Sequence, residues 1–193
     1  MLILLAARWI DPPSTAVHIQ CREQAWVHHT PYHERYKFIP LSQISPALQH
    51  AVIAAEDSRF YQHHGFDWHD VQIAAEDDLK GGRTRGASTI TQHLVKTFSE
   101  QVVLSSARVP RVFTGIGSRK RILEIYLNSL EWSPGVYGAE SGCHYYYGMP
   151  ARNIERQEGA RLAAILPAPL KRRPERMNNY SALILERMRQ MGW

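Results

Sequence analysis

The run Ala51-Val52-Ile53-Ala54-Ala55-Glu56-Asp57-Ser58-Arg59-Phe60-Tyr61-Gln62-His63-His64-Gly65 carries the densest chemistry in the chain. An apolar approach ends in two carboxylates, an aromatic ring and histidines. Carboxylates at the end of a rigid, largely buried element lose solvation, and a desolvated carboxylate can act as a base near neutral pH. Gly65 then lets the chain turn away. A second group follows in Gly86-Ala87-Ser88-Thr89-Ile90-Thr91-Gln92-His93-Leu94-Val95-Lys96. There Thr89, Gln92, His93 and Lys96 recur at intervals of three, four and seven residues and so share one helix face. A glycine-preceded helix start with free backbone N–H groups, hydroxyls and a lysine two turns on suits a diphosphate. A solvated helix face is the plainer reading of the same pattern.

The elements that must position these groups are mostly helical. Ser45-Pro46 supplies an N-cap and a first-turn proline, and Leu48, Val52 and Ile53 then fall on one face up to Glu56. Glu56 therefore sits at the helix end, where the negative end of the helix dipole disfavours ionisation and raises its expected pKa. Residues 71–79 read as a short helix and residues 80–86 as a flexible basic loop. Ser88 or the residue before it caps a helix whose core stripe is Ile90, Leu94, Val95 and Phe98. The chain is less regular from Val102 to Gly117, and helix resumes at about Ser118. Ile122, Leu123, Tyr126 and Leu127 form the buried side of that helix, Glu124 points elsewhere, and Ser133-Pro134-Gly135 breaks the run. Further helices are expected over residues 155–166 and 180–191. No internal repeat and no multi-strand pattern is visible, so the expected fold class is mainly α.

With 193 residues, 44% of them hydrophobic, and no linker-like tract, the chain is long enough for one well-buried domain. A net charge of +5 with ten further histidines favours an anionic partner. No aromatic-basic ribonucleoprotein motif accompanies the scattered basic residues, which argues against nucleic acid. Cys21 and Cys143 can pair or stay free, and their spacing fits no zinc site. His28-His29, His33, His63-His64 and His69 read as surface histidines, with no metal site expected. The apolar start Met1-Leu2-Ile3-Leu4-Leu5-Ala6-Ala7 is far shorter than the roughly twenty residues that span a bilayer.

The pair Glu-Asp-x-x-Phe-x-x-His-x-Gly and Gly-Ala-Ser-Thr-Ile-Thr-Gln, in this order, resembles the peptidoglycan glycosyltransferases of bacterial cell-wall synthesis. The resemblance continues in Arg121-Ile122-Leu123-Glu124-Ile125-Tyr126-Leu127-Asn128, Gly135-Val136-Tyr137-Gly138, Tyr145-Tyr146-Tyr147-Gly148 and Leu162-Ala163-Ala164-Ile165-Leu166-Pro167. The opening Arg8-Trp9-Ile10-Asp11-Pro12-Pro13-Ser14-Thr15-Ala16, with no second domain, is similar to the monofunctional biosynthetic members of glycosyltransferase family 51. The resemblance implies a single lysozyme-like helical domain over residues 11–193, with residues 1–10 the remnant of an N-terminal membrane anchor. It implies a bacterial inner-membrane protein with its catalytic domain in the periplasm. The implied partners are lipid II, the growing glycan strand, the membrane surface, and cell-division or elongation proteins. By the same resemblance Glu56 is the general base, and Asp57, Phe60 and His63 support it and shape the pocket. Thr89, Gln92, His93 and Lys96 line the donor side, with the lysine and hydroxyl toward the diphosphate. No tightly bound cofactor is implied; Mg²⁺ would arrive with the substrate pyrophosphate.

Two departures bear on activity. His93 stands where the family usually has a second glutamine, and Thr97 where it usually has asparagine. The family's third motif, Arg-Lys-x-x-Glu, is missing: Val109-Pro110-Arg111-Val112-Phe113 occupies its place, in a segment shorter by more than about two helical turns. Glu100 or Glu124 are the candidate replacements for its carboxylate, and Arg108, Arg111, Arg119 or Lys120 for its cations. Weak or absent turnover is the resulting expectation. The rival readings are a catalytically silent lipid II- or glycan-binding homologue in cell-wall assembly and a lysozyme-like glycosidase.

Overall fold

The computed structural model describes residues 8–12, 16–29, 31–63, 67, 89–98 and 116–193. Among these are seven α-helices and a small three-stranded sheet. In chain order they are α1 (Ala16–Val27), β1 (Arg35–Tyr36), α2 (Pro46–Glu56), α3 (Ile90–Phe98), α4 (Arg119–Ser129), β2 (Glu131–Ser133), β3 (Val136–Tyr137), α5 (Ala139–Tyr147), α6 (Arg156–Ile165) and α7 (Asn178–Gln190). The mainly α expectation holds.

Helix α2 forms where the sequence places it. Ser45 caps it by accepting the Ala47 N–H at 3.1 Å, and Pro46 occupies a position whose N–H would have no helical partner. Leu48, Ala51, Val52 and Ile53 are fully buried, each large side chain contributing about 1.5–3 kcal/mol. They pack against α6 and α7. The helix stops because Asp57 leaves helical geometry while its own N–H still reaches the Ile53 carbonyl. Helix α4 starts on Ser118, whose hydroxyl accepts the Arg121 N–H. The wholly buried Asn128 ties it to the preceding extended segment, accepting from the Ile39 N–H and donating to the Ile39 carbonyl.

A small sheet is present although no multi-strand pattern is visible in the sequence. β3 pairs parallel with β1 and antiparallel with β2, with Glu131 opposite Tyr137. Strands of two or three residues are too short to show alternation, so no period could reveal them. What fixes them is the turn at Gly135, whose φ of +75° admits glycine readily. Helices α1 and α5 were also not anticipated. α5 carries Gly142 midway, and the structure supplies the reason: a side chain there would come within 2.6 Å of Trp132 Cγ. Cys21 and Cys143 are both free. The expected helix over residues 71–79, the loop over 80–86 and most of the irregular passage before Ser118 lie outside the described residues. So do Met1 to Ala7, most of the expected anchor remnant.

Candidate active site

Glu56 ends α2 with its side chain 12% exposed. Its carboxyl is pushed up from the ordinary 4.5 to about 7, by burial first and then by the neighbouring Asp57 charge. The direction and its first cause, desolvation, are those expected from the sequence; the second contribution comes from the Asp57 charge, which the sequence reading does not include beside the helix dipole. His93 Nδ1, on α3, lies 3.6 Å from Glu56 Oε2. Both line a cleft of about 310 Å³ that Tyr126 and Ser129 of α4, Glu131 of β2 and Leu166 also border. Tyr126 is almost wholly buried, and burial together with the Glu56 and Asp57 charges holds its phenol well above the ordinary range, so it stays neutral.

Asp57 joins the two sequence motifs physically. One carboxylate oxygen meets His63 Nε2 at 2.8 Å, and the other accepts the Ile90 N–H at 3.0 Å, at the start of α3. The same helix start is closed by a capping box: Thr89 Oγ1 accepts the Gln92 N–H, and Gln92 Oε1 accepts the Thr89 N–H. Thr89 therefore occupies the capping position that the sequence gave to Ser88 or the residue before it. Thr89 and Gln92 are 2% and 8% exposed, so their polar groups serve the cap and do not form the open polar face read from their spacing. His93 alone of that set is placed at the cleft, and the Lys96 side chain lies outside the described residues. Phe60 is fully buried with its ring in a T-shaped arrangement with that of His63. Arg119 donates to the carbonyls of both Phe60 and His63. That guanidinium, a candidate replacement cation in the sequence, thus braces the turn that follows Glu56.

The candidate second carboxylates fare differently from expectation. Glu124 is held away from this cleft: Oε1 accepts the Leu41 N–H at 2.6 Å, Oε2 pairs with Arg121 at 2.5 Å, and both border a separate hollow. It is a structural carboxylate. Glu100 and Arg108 lie outside the described residues. Glu131, which spacing did not single out, is the carboxylate that shares the cleft with Glu56. Its only signal in the sequence was its place just after the Tyr126-Leu127-Asn128 run. Among the described residues, Asp57, His63 and Asp67 offer ligand atoms within 4.8 Å of one another. Asp57 is already engaged by His63 and Ile90, and Arg59 lies 3.6 Å from Asp67, so the group is accounted for as a strut beneath the turn.

Fold and site together define a helical enzyme class in which a carboxylate raised by burial, at a helix end, opens on a cleft edged by a short sheet. The chain belongs to the transglycosylase family, whose profile matches residues 23–189. It is 38% identical over 206 residues to the biosynthetic peptidoglycan transglycosylase of Pseudomonas putida strain F1, covering 100% of this chain and 86% of that protein. To the protein of the same description from Pseudomonas aeruginosa PAO1 it is 36% identical over 206 residues, covering 100% and 87%. To that of Pseudomonas fluorescens SBW25 it is 38% identical over 175 residues, covering 88% and 73%.

Proposed function

We propose that this protein is a peptidoglycan glycosyltransferase that polymerises lipid II into glycan strands and releases undecaprenyl diphosphate. The observation that carries the proposal is Glu56, a buried carboxyl poised at about 7 and opening on the cleft. A base whose pKa matches the working pH combines a useful ionised fraction with real proton affinity. In this scheme the 4-hydroxyl of the incoming sugar gives its proton to Glu56 as its oxygen bonds to C1 of the growing strand's terminal sugar. The bond from C1 to the diphosphate oxygen breaks, and the diphosphate leaves with inversion. Asp57, held by His63 and the Ile90 N–H, keeps Glu56 at the helix end, and its charge keeps the Glu56 proton affinity high. No resident metal enters the scheme; a divalent ion such as Mg²⁺ would arrive on the diphosphate.

A peptidoglycan synthase works in the cell envelope. The finer reading is that this domain faces the periplasm at the inner membrane, in company with division or elongation proteins. Among the described residues no helix is long and apolar enough to cross a membrane. The deciding experiment incubates the protein with labelled lipid II and resolves the glycan products on a gel. Polymer formed by the wild type and lost in Glu56→Gln supports the proposal. Lipid II binding without polymer would instead establish a silent homologue, and shortening of preformed peptidoglycan a glycosidase.

A further inference from the structure

The cleft that holds Glu56 has a second carboxylate in its wall, and that group is built in with care. Glu131 opens β2 directly after α4 ends, and the backbone register sets it opposite Tyr137. The neighbouring Tyr137 hydroxyl and Gly135 N–H favour its charged form, while burial, the larger effect, raises its proton affinity. Tyr137 is itself fully buried, and its hydroxyl oxygen accepts from Tyr32 at 3.2 Å. The strand register and the tight turn at Gly135 thus hold Glu131 beside Tyr137.

A carboxylate offers about four acceptor sites. Glu131 borders the cleft that holds Glu56. Burial raises its proton affinity, and the neighbouring Tyr137 and Gly135 groups offset part of that rise. Sugars are recognised by such acceptors, because a carboxylate takes hydroxyl donors in charge-assisted bonds roughly twice as strong as neutral ones. We propose that Glu131 is a substrate-binding carboxylate of this cleft: it accepts from hydroxyls of the bound sugar and orients the ring so that the attacking hydroxyl faces Glu56. The assignment rests on the glycosyltransferase reading. It gives this chain a second cleft carboxylate at a position outside the missing Arg-Lys-x-x-Glu segment.

The test measures equilibrium binding of fluorescent lipid II in detergent, with Glu56→Gln as the non-turning-over background. Adding Glu131→Gln should weaken binding on the order of 10- to 100-fold, the loss expected for a hydrogen bond to a charged group. Thermal unfolding should stay within a few degrees of the background. Unchanged affinity in the Glu131→Gln protein overturns the assignment. So does a loss of affinity that appears only together with loss of cooperative unfolding, since that marks a purely structural role. A wild type that binds lipid II without polymerising it refutes the glycosyltransferase reading while leaving Glu131 decided by affinity; absence of any lipid II binding sinks both.

Discussion

Replacing Glu56 with Gln should stabilise the protein while abolishing its chemistry, and the gain should depend on pH in a defined way. In the fold the Glu56 carboxyl keeps its proton to about pH 7, and in the unfolded chain it releases it near its ordinary 4.5. The raised native value means that stability is fully present below pH 4.5, declines as pH rises through the interval, and has been lost just above pH 7. At about 1.4 kcal/mol per pH unit, ionising Glu56 in place costs on the order of 3 kcal/mol. Gln has nearly the shape of the protonated acid and carries no charge, so it escapes that cost and the repulsion from Asp57. Urea unfolding followed at pH 4.5 and pH 8 measures the effect. With a slope of about 2 kcal/mol per molar, the variant's midpoint should exceed the wild type's by about 1.5 M at pH 8 and nearly coincide with it at pH 4.5. A midpoint difference that is the same at both pH values, or a wild type more stable than the variant at pH 8, would refute the reasoning. Either result would mean that Glu56 is solvated or paired well enough to ionise normally.

Other expectations follow from the same structure. Thr89→Ala opens the capping box at the start of α3 and should lower stability by about 1 kcal/mol, read as a fall in the urea midpoint. Gly142→Ala drives a methyl group into the Trp132 ring of β2 and should cost about 1–3 kcal/mol, with a matching drop in melting temperature. On the reading that nothing replaces the cations and carboxylate of an Arg-Lys-x-x-Glu segment, the wild type should polymerise lipid II about 10²- to 10³-fold more slowly than the Pseudomonas putida relative assayed beside it. Equal rates would show that other groups fully replace them.

The local signals were the legible ones. Ser45-Pro46 at the start of α2, Ser118 ahead of α4, and the apolar spacing of Leu48, Val52 and Ile53 all act between residues a few positions apart, and the structure reproduces them. The carboxylate-rich run at Glu56 was visible for the same reason, since residue type and helix position were enough to mark it. The strands were not visible, because each is two or three residues long, too short to show alternation, and β1 exists only through a partner far away in the chain. Spacing also misjudged Thr89 and Gln92. It placed them on one helix face, but whether that face meets solvent or closes a cap depends on what Asp57 and the turn bring alongside it.

The sequence by itself determined the family, the mainly helical class and Glu56 as the residue to test, because each rests on short-range order along the chain. Tertiary structure decided the rest of the site. It turned Asp57 into the link between the motifs, assigned Arg119 to the backbone carbonyls and Glu124 to a remote brace, and brought Glu131 into the cleft with Glu56. These roles depend on burial and on contacts between residues distant in sequence. Desolvation, which sets the proton affinity of Glu56, arises only when the surrounding elements close around it.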